Sequence, residues 1–75
     1  MERIDGLGQR IKMLRRKRGL TQRDLAAQLG LHVADISKLE RECAVPTLAR
    51  AVRLAYALGV SLDALCGWRS RTGEP

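Results

Sequence analysis

Four short stretches in which leucine and alanine recur at helical spacing each end at a glycine. The glycines stand at positions 19, 30, 59 and 67, and Pro46 interrupts the longest interval between them. A glycine just past the last periodic residue commonly ends an α-helix, and a proline disfavours helical backbone at the residue before it. Helices of two or three turns are not stable alone, so the sequence predicts short helices packed around a shared core.

The apolar residues are mostly aliphatic. Hydrophobic residues make up 45% of the 75 positions, but only Tyr56 and Trp68 are aromatic. Leucine and alanine are strong helix formers, and a chain of this size has room for one domain with a single small core. We therefore expect an all-α protein without a deep substrate cleft. Because a single histidine and no paired carboxylates leave no catalytic arrangement, we expect no enzyme activity, no cofactor and no metal.

Local signals place the boundaries of five predicted helices. They run from Leu7 to Arg18 with Asp5 as a candidate N-cap, from Thr21 to Gly30, from Val33 to Arg41 behind His32, from Thr47 to Leu58, and from Ser61 to Gly67. Thr21 and Asp24 have the spacing of a capping box, and Thr47 and Ser61 are favoured N-cap residues. The apolar pattern of the fourth helix predicts a buried side made of Leu48, Ala51, Val52, Ala55 and Leu58.

Positive charge is concentrated at the start of the chain. The net charge is +6, and residues 1–24 carry eight lysines and arginines against three acidic residues. A basic surface suits a polyanion, most commonly nucleic acid. There is no secretory signal and no run of about 18 apolar residues. We therefore expect a cytoplasmic protein in which Cys43 and Cys66 are free thiols.

The second and third predicted helices form the most informative pattern. It consists of Leu20-Thr21-Gln22-Arg23-Asp24-Leu25-Ala26, then Leu29-Gly30-Leu31, then Ile36-Ser37-Lys38-Leu39-Glu40-Arg41. Two short helices joined by a tight turn that contains glycine are a helix-turn-helix. Ala26 is small enough for the two helices to cross closely, and Gly30 gives the turn its backbone freedom.

With these residues the chain resembles the phage-repressor and Cro-like helix-turn-helix regulators over about Leu7 to Leu65. The shared features are the basic first helix, the Thr21-Gln22 opening, Leu25-Ala26, the Gly30 turn, Ile36-Ser37-Lys38-Leu39-Glu40, Pro46-Thr47 and Ala57-Leu58-Gly59-Val60-Ser61-Leu62. The resemblance implies a compact five-helix, lambda-repressor-like DNA-binding domain over residues 1–66 and a short flexible tail over residues 67–75. It also implies a homodimer that binds double-stranded operator DNA with an inverted repeat, the second helix of the motif lying in the major groove.

The same resemblance assigns roles to residues. Gln22 would face a phosphate or an outer base, Val33, Ala34 and Lys38 would face base edges, and Ser37 and Arg41 would lie near the DNA backbone. The full set of candidate DNA contacts is Thr21, Gln22, Arg23, His32, Val33, Ala34, Asp35, Ser37, Lys38 and Arg41. Arg15, Arg16 and Lys17 are candidate phosphate contacts, although cations at a helix end also suit the helix dipole. Leu62, Leu65 and Trp68 are candidate dimer contacts.

Several positions depart from the family pattern. His32 stands where the family usually has Ser or Thr, and Val33, Ala34 and Asp35 replace the usual Gln, Arg or Ser at the start of the recognition helix. Val and Ala can contact a thymine methyl group but offer no hydrogen bond, so phosphate contacts and DNA shape would supply much of the binding energy. Asp35 either pairs with a nearby cation or accepts from a cytosine amino group. Glu42 occupies a position often given to glycine.

These features predict a dimeric, sequence-specific transcription regulator, most simply a repressor that acts on the nucleoid. Two alternatives share the fold: the antitoxin of a toxin–antitoxin pair and the controller of a restriction-modification operon. A third alternative is a helix-turn-helix used as a protein-interaction module, which the apolar start of the third helix suggests.

Overall fold

The computed structural model describes residues 6–67, and this part of the chain folds into five α-helices without strands. The helices are α1 (Leu7–Lys17), α2 (Gln22–Leu29), α3 (Val33–Glu40), α4 (Leu48–Leu58) and α5 (Leu62–Cys66). These bounds confirm the predicted helices to within one or two residues. None of the five helices is long and apolar enough to cross a membrane.

Hydroxyl side chains fix the starts of three helices. The hydroxyl oxygens of Thr21, Thr47 and Ser61 accept hydrogen bonds from the backbone N–H three residues later, at distances of 3.0, 3.2 and 3.0 Å. Each bond satisfies one of the backbone donors that a helix leaves without an intrahelical partner. Because these contacts are local, the residue types alone were enough to predict where α2, α4 and α5 begin.

The start of α1 differs from the prediction. Gly6, with φ 75°, is the N-cap residue and offers no side-chain hydrogen bond, while Asp5 lies outside the described residues. The Glu42 carboxylate, from the loop after α3, accepts a hydrogen bond from the Gly8 N–H at 3.1 Å. A distant residue therefore caps the first turn of α1.

One core lies between the helices. Ile11, Leu25, Ile36, Leu54 and Leu65 have no exposed surface. Helix α3 packs against α1 and α2, while α4 packs against α2 and α5 and α1 packs against α5. All five helices thus contribute to a single aliphatic interior, as the composition predicts.

At Gly8 the backbone of α1 closely approaches the C-terminal end of α3. A Cβ atom at Gly8 would overlap the Glu40 carbonyl oxygen and lie 2.7 Å from the Leu39 carbonyl oxygen. A larger residue there would push α1 away from the end of α3, because close-packed interiors accommodate added atoms only by moving their neighbours.

The predicted buried side of α4 is wrong at two positions. Leu48 is 73% exposed and Val52 is 48% exposed, whereas Leu54, Ala55 and Leu58 on the same helix are buried. The reason is that α1, α2 and α5 cover only the side of α4 that carries those three residues. Apolar spacing shows that α4 is amphipathic but does not show how much of its apolar arc other helices cover.

Candidate nucleic-acid interface

A glycine turn sets the relative orientation of α2 and α3. Gly30 has φ 68°, a conformation that L-residues with a side chain rarely adopt. The Leu31 N–H donates to the Ala26 carbonyl at 2.9 Å across this turn, and Ala26 itself is buried. The small Ala26 and the left-handed Gly30 together allow the two helices to form the predicted helix-turn-helix.

The N-terminus of α2 forms a complete capping box. The Thr21 N–H donates to the Asp24 carboxylate at 2.9 Å, and the Asp24 N–H donates to the Thr21 hydroxyl at 3.0 Å. Hydrogen bonds from Thr21 to the Asp24 carboxylate, first the one from its backbone N–H and then one from its side chain, lower the pKa of Asp24 below its ordinary value. Gln22 and Arg23 follow as the first two helical residues, so their N–H groups lie at the positive end of the helix dipole.

A buried ion pair connects α1, α2 and α3. The Arg15 guanidinium donates from Nε to Glu40 Oε2 at 2.6 Å and from Nη2 to Glu40 Oε1 at 3.1 Å. Gln22 Nε2 also donates to Glu40 Oε1, at 3.0 Å. We call Arg15, Gln22 and Glu40 the buried polar cluster. It holds the start of α2 against the end of α3 and α1.

The electrostatics of this cluster favour the ionised pair. Burial alone raises the pKa of Glu40, but the hydrogen bonds from Arg15 and Gln22 and the charges of Arg15 and Lys12 outweigh it, so the pKa is lowered. The hydrogen bond to Glu40 raises the pKa of Arg15. Both groups therefore stay charged at neutral pH, because an opposite charge and hydrogen bonds to the ionised form favour ionisation more than burial opposes it.

The cluster corrects the expectation for Arg15. The residue is 7% exposed, and its guanidinium also donates from Nη1 to the Leu20 carbonyl at 2.9 Å. Because its hydrogen bonds are made inside the protein, Arg15 is not presented to a phosphate as the sequence suggested. Gln22 is half-buried and donates an amide N–H to Glu40.

Helix α3 presents one exposed face made of predicted contact residues. Val33, Ala34, Lys38 and Arg41 are exposed and Ser37 is half-buried, whereas Ile36 and Leu39 on the opposite face are buried. Arg41 Nε donates to Ser37 Oγ at 3.3 Å. The structure thus brings these predicted contacts together on one solvent-facing surface, which we call the α3 face.

His32 is the N-cap residue of α3, as the sequence predicts, whereas Asp35 has a role that neither sequence alternative for it described. The Asp35 carboxylate accepts a hydrogen bond from the His32 N–H at 3.1 Å, while the His32 side chain makes no cap hydrogen bond. Asp35 therefore satisfies the backbone N–H of the N-cap residue, as Asp24 does for Thr21 at the start of α2. The acidic residue stabilises the start of α3 and lies at the edge of the α3 face.

Arg16 and Lys17 lie apart from the α3 face. Both are exposed, and they line a shallow depression on α1 together with Gln9, Lys12 and Met13. No residue of α2 or α3 lines this depression. Of the basic residues near the end of α1, Arg15 is therefore buried, whereas Arg16 and Lys17 are exposed.

The candidate dimer contacts have different surroundings. Leu65 has no exposed surface, which corrects the expectation that it contacts a partner subunit, since it is part of the core. Leu62 is half-buried against that core. Trp68 lies outside the described residues, as does the predicted tail from residue 68 onward.

Arg10 is a structural residue that the sequence analysis did not identify. Its Nε donates to the Leu65 carbonyl at 2.8 Å and its Nη2 to the Cys66 carbonyl at 3.0 Å. The guanidinium therefore satisfies the C-terminal carbonyls of α5 from a position on α1. Cations are attracted to helix C-termini, so a contact of this type could be expected for an arginine. The sequence does not show which helix end lies near Arg10.

Cys43 and Cys66 are not bonded to each other; Cys43 is exposed and Cys66 is half-buried. Within residues 6–67, no group of three His, Cys, Asp or Glu side chains is arranged to hold a metal ion.

Comparison with known proteins agrees with this geometry. Residues 11–65 match the helix-turn-helix family model. The chain is 38% identical over 61 residues to an immunity repressor protein of Bacillus phage phi105, a match that covers 81% of this chain and 42% of the phage protein. The chain therefore spans less than half the length of that relative.

Two solved structures extend the similarity to three dimensions. The P22 c2 repressor protein in complex with a synthetic operator superposes with a TM-score of 0.75 at 32% identity, covering 79% of this chain and 89% of the repressor chain. The restriction-modification controller protein C.AhdI from Aeromonas hydrophila gives a TM-score of 0.77 at 32% identity, covering 83% and 94% of the two chains. This chain belongs to the helix-turn-helix family of phage-repressor and Cro-like transcription regulators.

Proposed function

We propose that this protein is a sequence-specific, double-stranded DNA-binding repressor of transcription that acts as a dimer, with α3 in the major groove. The observation that carries the proposal is the α3 face, where Val33, Ala34, Lys38 and Arg41 are exposed together on a helix held rigidly by α2. A B-DNA major groove admits an α-helix presented in this way. The complex of the similar P22 c2 repressor with a synthetic operator supports binding to operator DNA.

Each part of the surface has a distinct role in this proposal. Lys38 donates to guanine O6 or N7, and Val33 and Ala34 contact thymine methyl groups. Ser37 and Arg41, bonded to each other, lie near a phosphate. Asp35 keeps its capping role, so it acts on recognition through the orientation of α3, and His32 lies beside it at the edge of the groove.

The start of α2 contacts the DNA backbone. Its first N–H groups, those of Gln22 and Arg23, donate to no protein acceptor among the described residues, and a helix N-terminus stabilises an anion placed before it. Thr21 keeps this terminus in position through its capping box with Asp24. A phosphate bound here would fix the register of α3 in the groove.

Phosphate contacts supply most of the affinity, because Val33 and Ala34 form no hydrogen bonds with bases. Arg16 and Lys17 contribute as exposed cations of α1, either in direct contact with a flanking phosphate or through the field of a protein with net charge +6. A regulator of this kind works on DNA in the cytoplasm, by binding rather than by catalysis.

The test is selection of bound sequences from random double-stranded DNA, followed by binding measurements over a salt series. An inverted-repeat motif with half-sites about one helical turn apart is expected for a dimer. Salt-sensitive binding without any motif would contradict sequence-specific recognition. Absence of binding at low salt would contradict the function itself and favour the protein-interaction module instead.

A second candidate is the controller of a restriction-modification operon, which the similarity to C.AhdI supports. It shares the DNA-binding surface and differs only in the genes controlled. The selected motif distinguishes the two, since a controller's motif would occur upstream of neighbouring restriction and modification genes.

A further inference from the structure

An open groove lies where the ends of α1 and α2 meet α4. Its volume is about 730 Å³, and its walls come from Arg18 at the end of α1, from the last turn of α2, and from Val52, Arg53, Tyr56 and Ala57 of α4. No described residue of α3 lines it. The groove, which we call the α2–α4 groove, is therefore separate from the α3 face.

Two arginines give the α2–α4 groove a positive charge. Arg18 and Arg53 are both exposed, and neither guanidinium has a hydrogen bond or an ion pair within residues 6–67. Among the described residues that line the groove, none is acidic. Guanidinium groups bind carboxylates strongly, because their N–H donors match the two carboxylate oxygens. The groove therefore suits an acidic ligand.

The end of α4 holds the Arg18 side chain at the groove. A Cβ atom at Gly59 would overlap Arg18 Nη1 and lie 3.4 Å from Arg18 Cζ, so the guanidinium lies against the C-cap residue of α4. The carbonyl groups at a helix C-terminus carry partial negative charge, which favours a cation there. A side chain positioned in advance loses less conformational entropy when it binds a ligand.

The groove also offers apolar surface. Val52 is 48% exposed and Tyr56 is 87% exposed, and the two are neighbours one turn apart on α4. Leu29 and Ala57 line the part of the groove that lies against the core. Tyrosine is enriched at protein interfaces and often contributes strongly to binding. The ligand that fits this surface therefore carries an apolar group as well as negative charge.

The shape and charge of the groove favour a segment of another protein. Small-molecule sites enclose most of their ligand, whereas this groove is open and Tyr56 is almost fully exposed at its edge. A second copy of the chain is a poor occupant, because the net charge is +6 and a two-fold contact through the groove would bring equivalent arginines together. Like charges across an interface weaken association.

We propose that the α2–α4 groove binds an acidic segment of another protein. Carboxylates of that segment pair with Arg18 and Arg53, and an aliphatic or aromatic side chain between them lies on Val52 and Tyr56. This goes beyond the proposed DNA-binding function, because it gives the protein a second binding surface. Since the groove contains no described residue of α3, the partner binds while the α3 face contacts DNA.

The test begins with display selection of random peptides on the full chain. Peptides of about 12 residues are used, a length of three helical turns, and excess poly-glutamate removes binders that are attracted only by net charge. We expect the enriched peptides to carry acidic residues on both sides of an aliphatic or aromatic residue. Enrichment of neutral or basic peptides, or no enrichment at all, would overturn the proposal.

Charge reversal measures the contribution of the arginines. Fluorescence anisotropy with the most enriched peptide gives the dissociation constant, which Arg53→Glu should raise at least about tenfold. Arg16→Glu makes the same change of charge in the depression on α1, which shares no residue with the groove. It should have little effect at about 0.15 M salt, which screens exposed charges outside the groove.

A second pair of variants measures the apolar contact. Tyr56→Ala should raise the dissociation constant about fivefold or more. Leu48→Ala changes another exposed residue of α4, one that does not line the groove, and should leave the constant unchanged. Because all the substituted residues are exposed, circular dichroism should show that every variant stays folded. Equal effects of the groove variants and their controls would place the peptide elsewhere and overturn the proposal.

Operator DNA separates this inference from the proposed function. The peptide should bind the protein–DNA complex as tightly as it binds the free protein. If DNA displaces the peptide, or if the peptide dissociates a dimer in sedimentation equilibrium, then the peptide occupies the surface of DNA or of a second copy and the inference fails. A chain that binds the peptide in the groove but binds no DNA would contradict the proposed function alone.

Discussion

Lys38 lies one turn after Ala34 on the α3 face and is the long polar side chain nearest the middle of α3. The apolar residues before it limit direct readout, so a large share of base discrimination falls on this single ammonium group. A guanine contact contributes about 1–3 kcal/mol of discrimination. The sequence was sufficient to predict that Lys38 is exposed on the α3 face, because Ile36 and Leu39 define the opposite side of the helix.

We expect Lys38→Ala to weaken binding to the selected operator by about 1–3 kcal/mol and to relax preference at one base pair. Fluorescence anisotropy with operator and random DNA measures both effects. Arg16→Ala is the contrast: it should weaken binding to all sequences and reduce the salt slope by about one. Equal losses on operator and random DNA for Lys38→Ala would show a phosphate contact instead.

Glu42 combines an unfavourable backbone with a favourable side-chain contact. Its φ of 60° is left-handed, and its carboxylate caps α1 through the Gly8 N–H. The sequence indicated that Glu42 replaces a family glycine, but not that its side chain reaches α1. Sequence comparison alone would rank this position as a defect, whereas the structure shows the contact that compensates for it.

We predict that Glu42→Ala loses the cap and keeps the left-handed strain, and therefore destabilises the protein by about 1 kcal/mol. Glu42→Gly also loses the cap but removes the strain, so it should be about 1 kcal/mol more stable than the alanine variant. Urea unfolding of the two variants measures the difference. Identical stabilities would show that the backbone at residue 42 is not strained.

At the scale of the helices, local and distant contacts differ in how well the sequence predicts them. The helix bounds follow from nearby residues, as the hydroxyl caps at Thr47 and Ser61 show. By contrast, Arg15 lies among four consecutive basic residues that look alike in sequence, and only the position of α3 distinguishes it by placing Glu40 beside it. The covered side of α4 depends in the same way on where α1, α2 and α5 pack.

Substitutions in the buried polar cluster measure how much one such distant contact contributes to the free energy of unfolding. Arg15→Met leaves the Glu40 carboxylate buried without its partner, and we expect a loss of about 3 kcal/mol in the free energy of unfolding. Combining it with Glu40→Met removes both charges and should recover part of that loss. Arg50→Met, at an exposed arginine of α4, should change stability by less than about 0.5 kcal/mol. Additive effects of the two cluster variants in urea unfolding would contradict the coupling.

At the scale of the whole molecule, two carboxylates make stability depend on pH. The pKa values of Asp24 and Glu40 are lowered in the folded protein, so their contribution is complete above the ordinary carboxyl pKa. That contribution is lost as the pH falls through the lowered values. These groups hold the start of α2 and the end of α3, so acid weakens contacts within the helix-turn-helix.

We therefore expect the free energy of unfolding to fall between about pH 5 and pH 3, as measured by urea unfolding at each pH. Glu40→Gln should be less stable at neutral pH and should lose less on acidification, because the ionised form of Glu40 is the one that Arg15 stabilises. Parallel curves for the variant and the unmodified protein would show that Glu40 does not contribute to the acid response.

Arg10 brings the two ends of the described chain to one place. A Cβ atom at Gly6 would lie 3.5 Å from Arg10 Nη1, and a Cβ atom at Gly67 would lie 2.7 Å from the same nitrogen. The polypeptide thus enters and leaves this domain beside a single guanidinium group. A domain whose entry and exit points are adjacent can be inserted into a surface loop of another protein without forcing the two ends of that loop apart. This helical unit is therefore suited to domain insertion as a DNA-binding module.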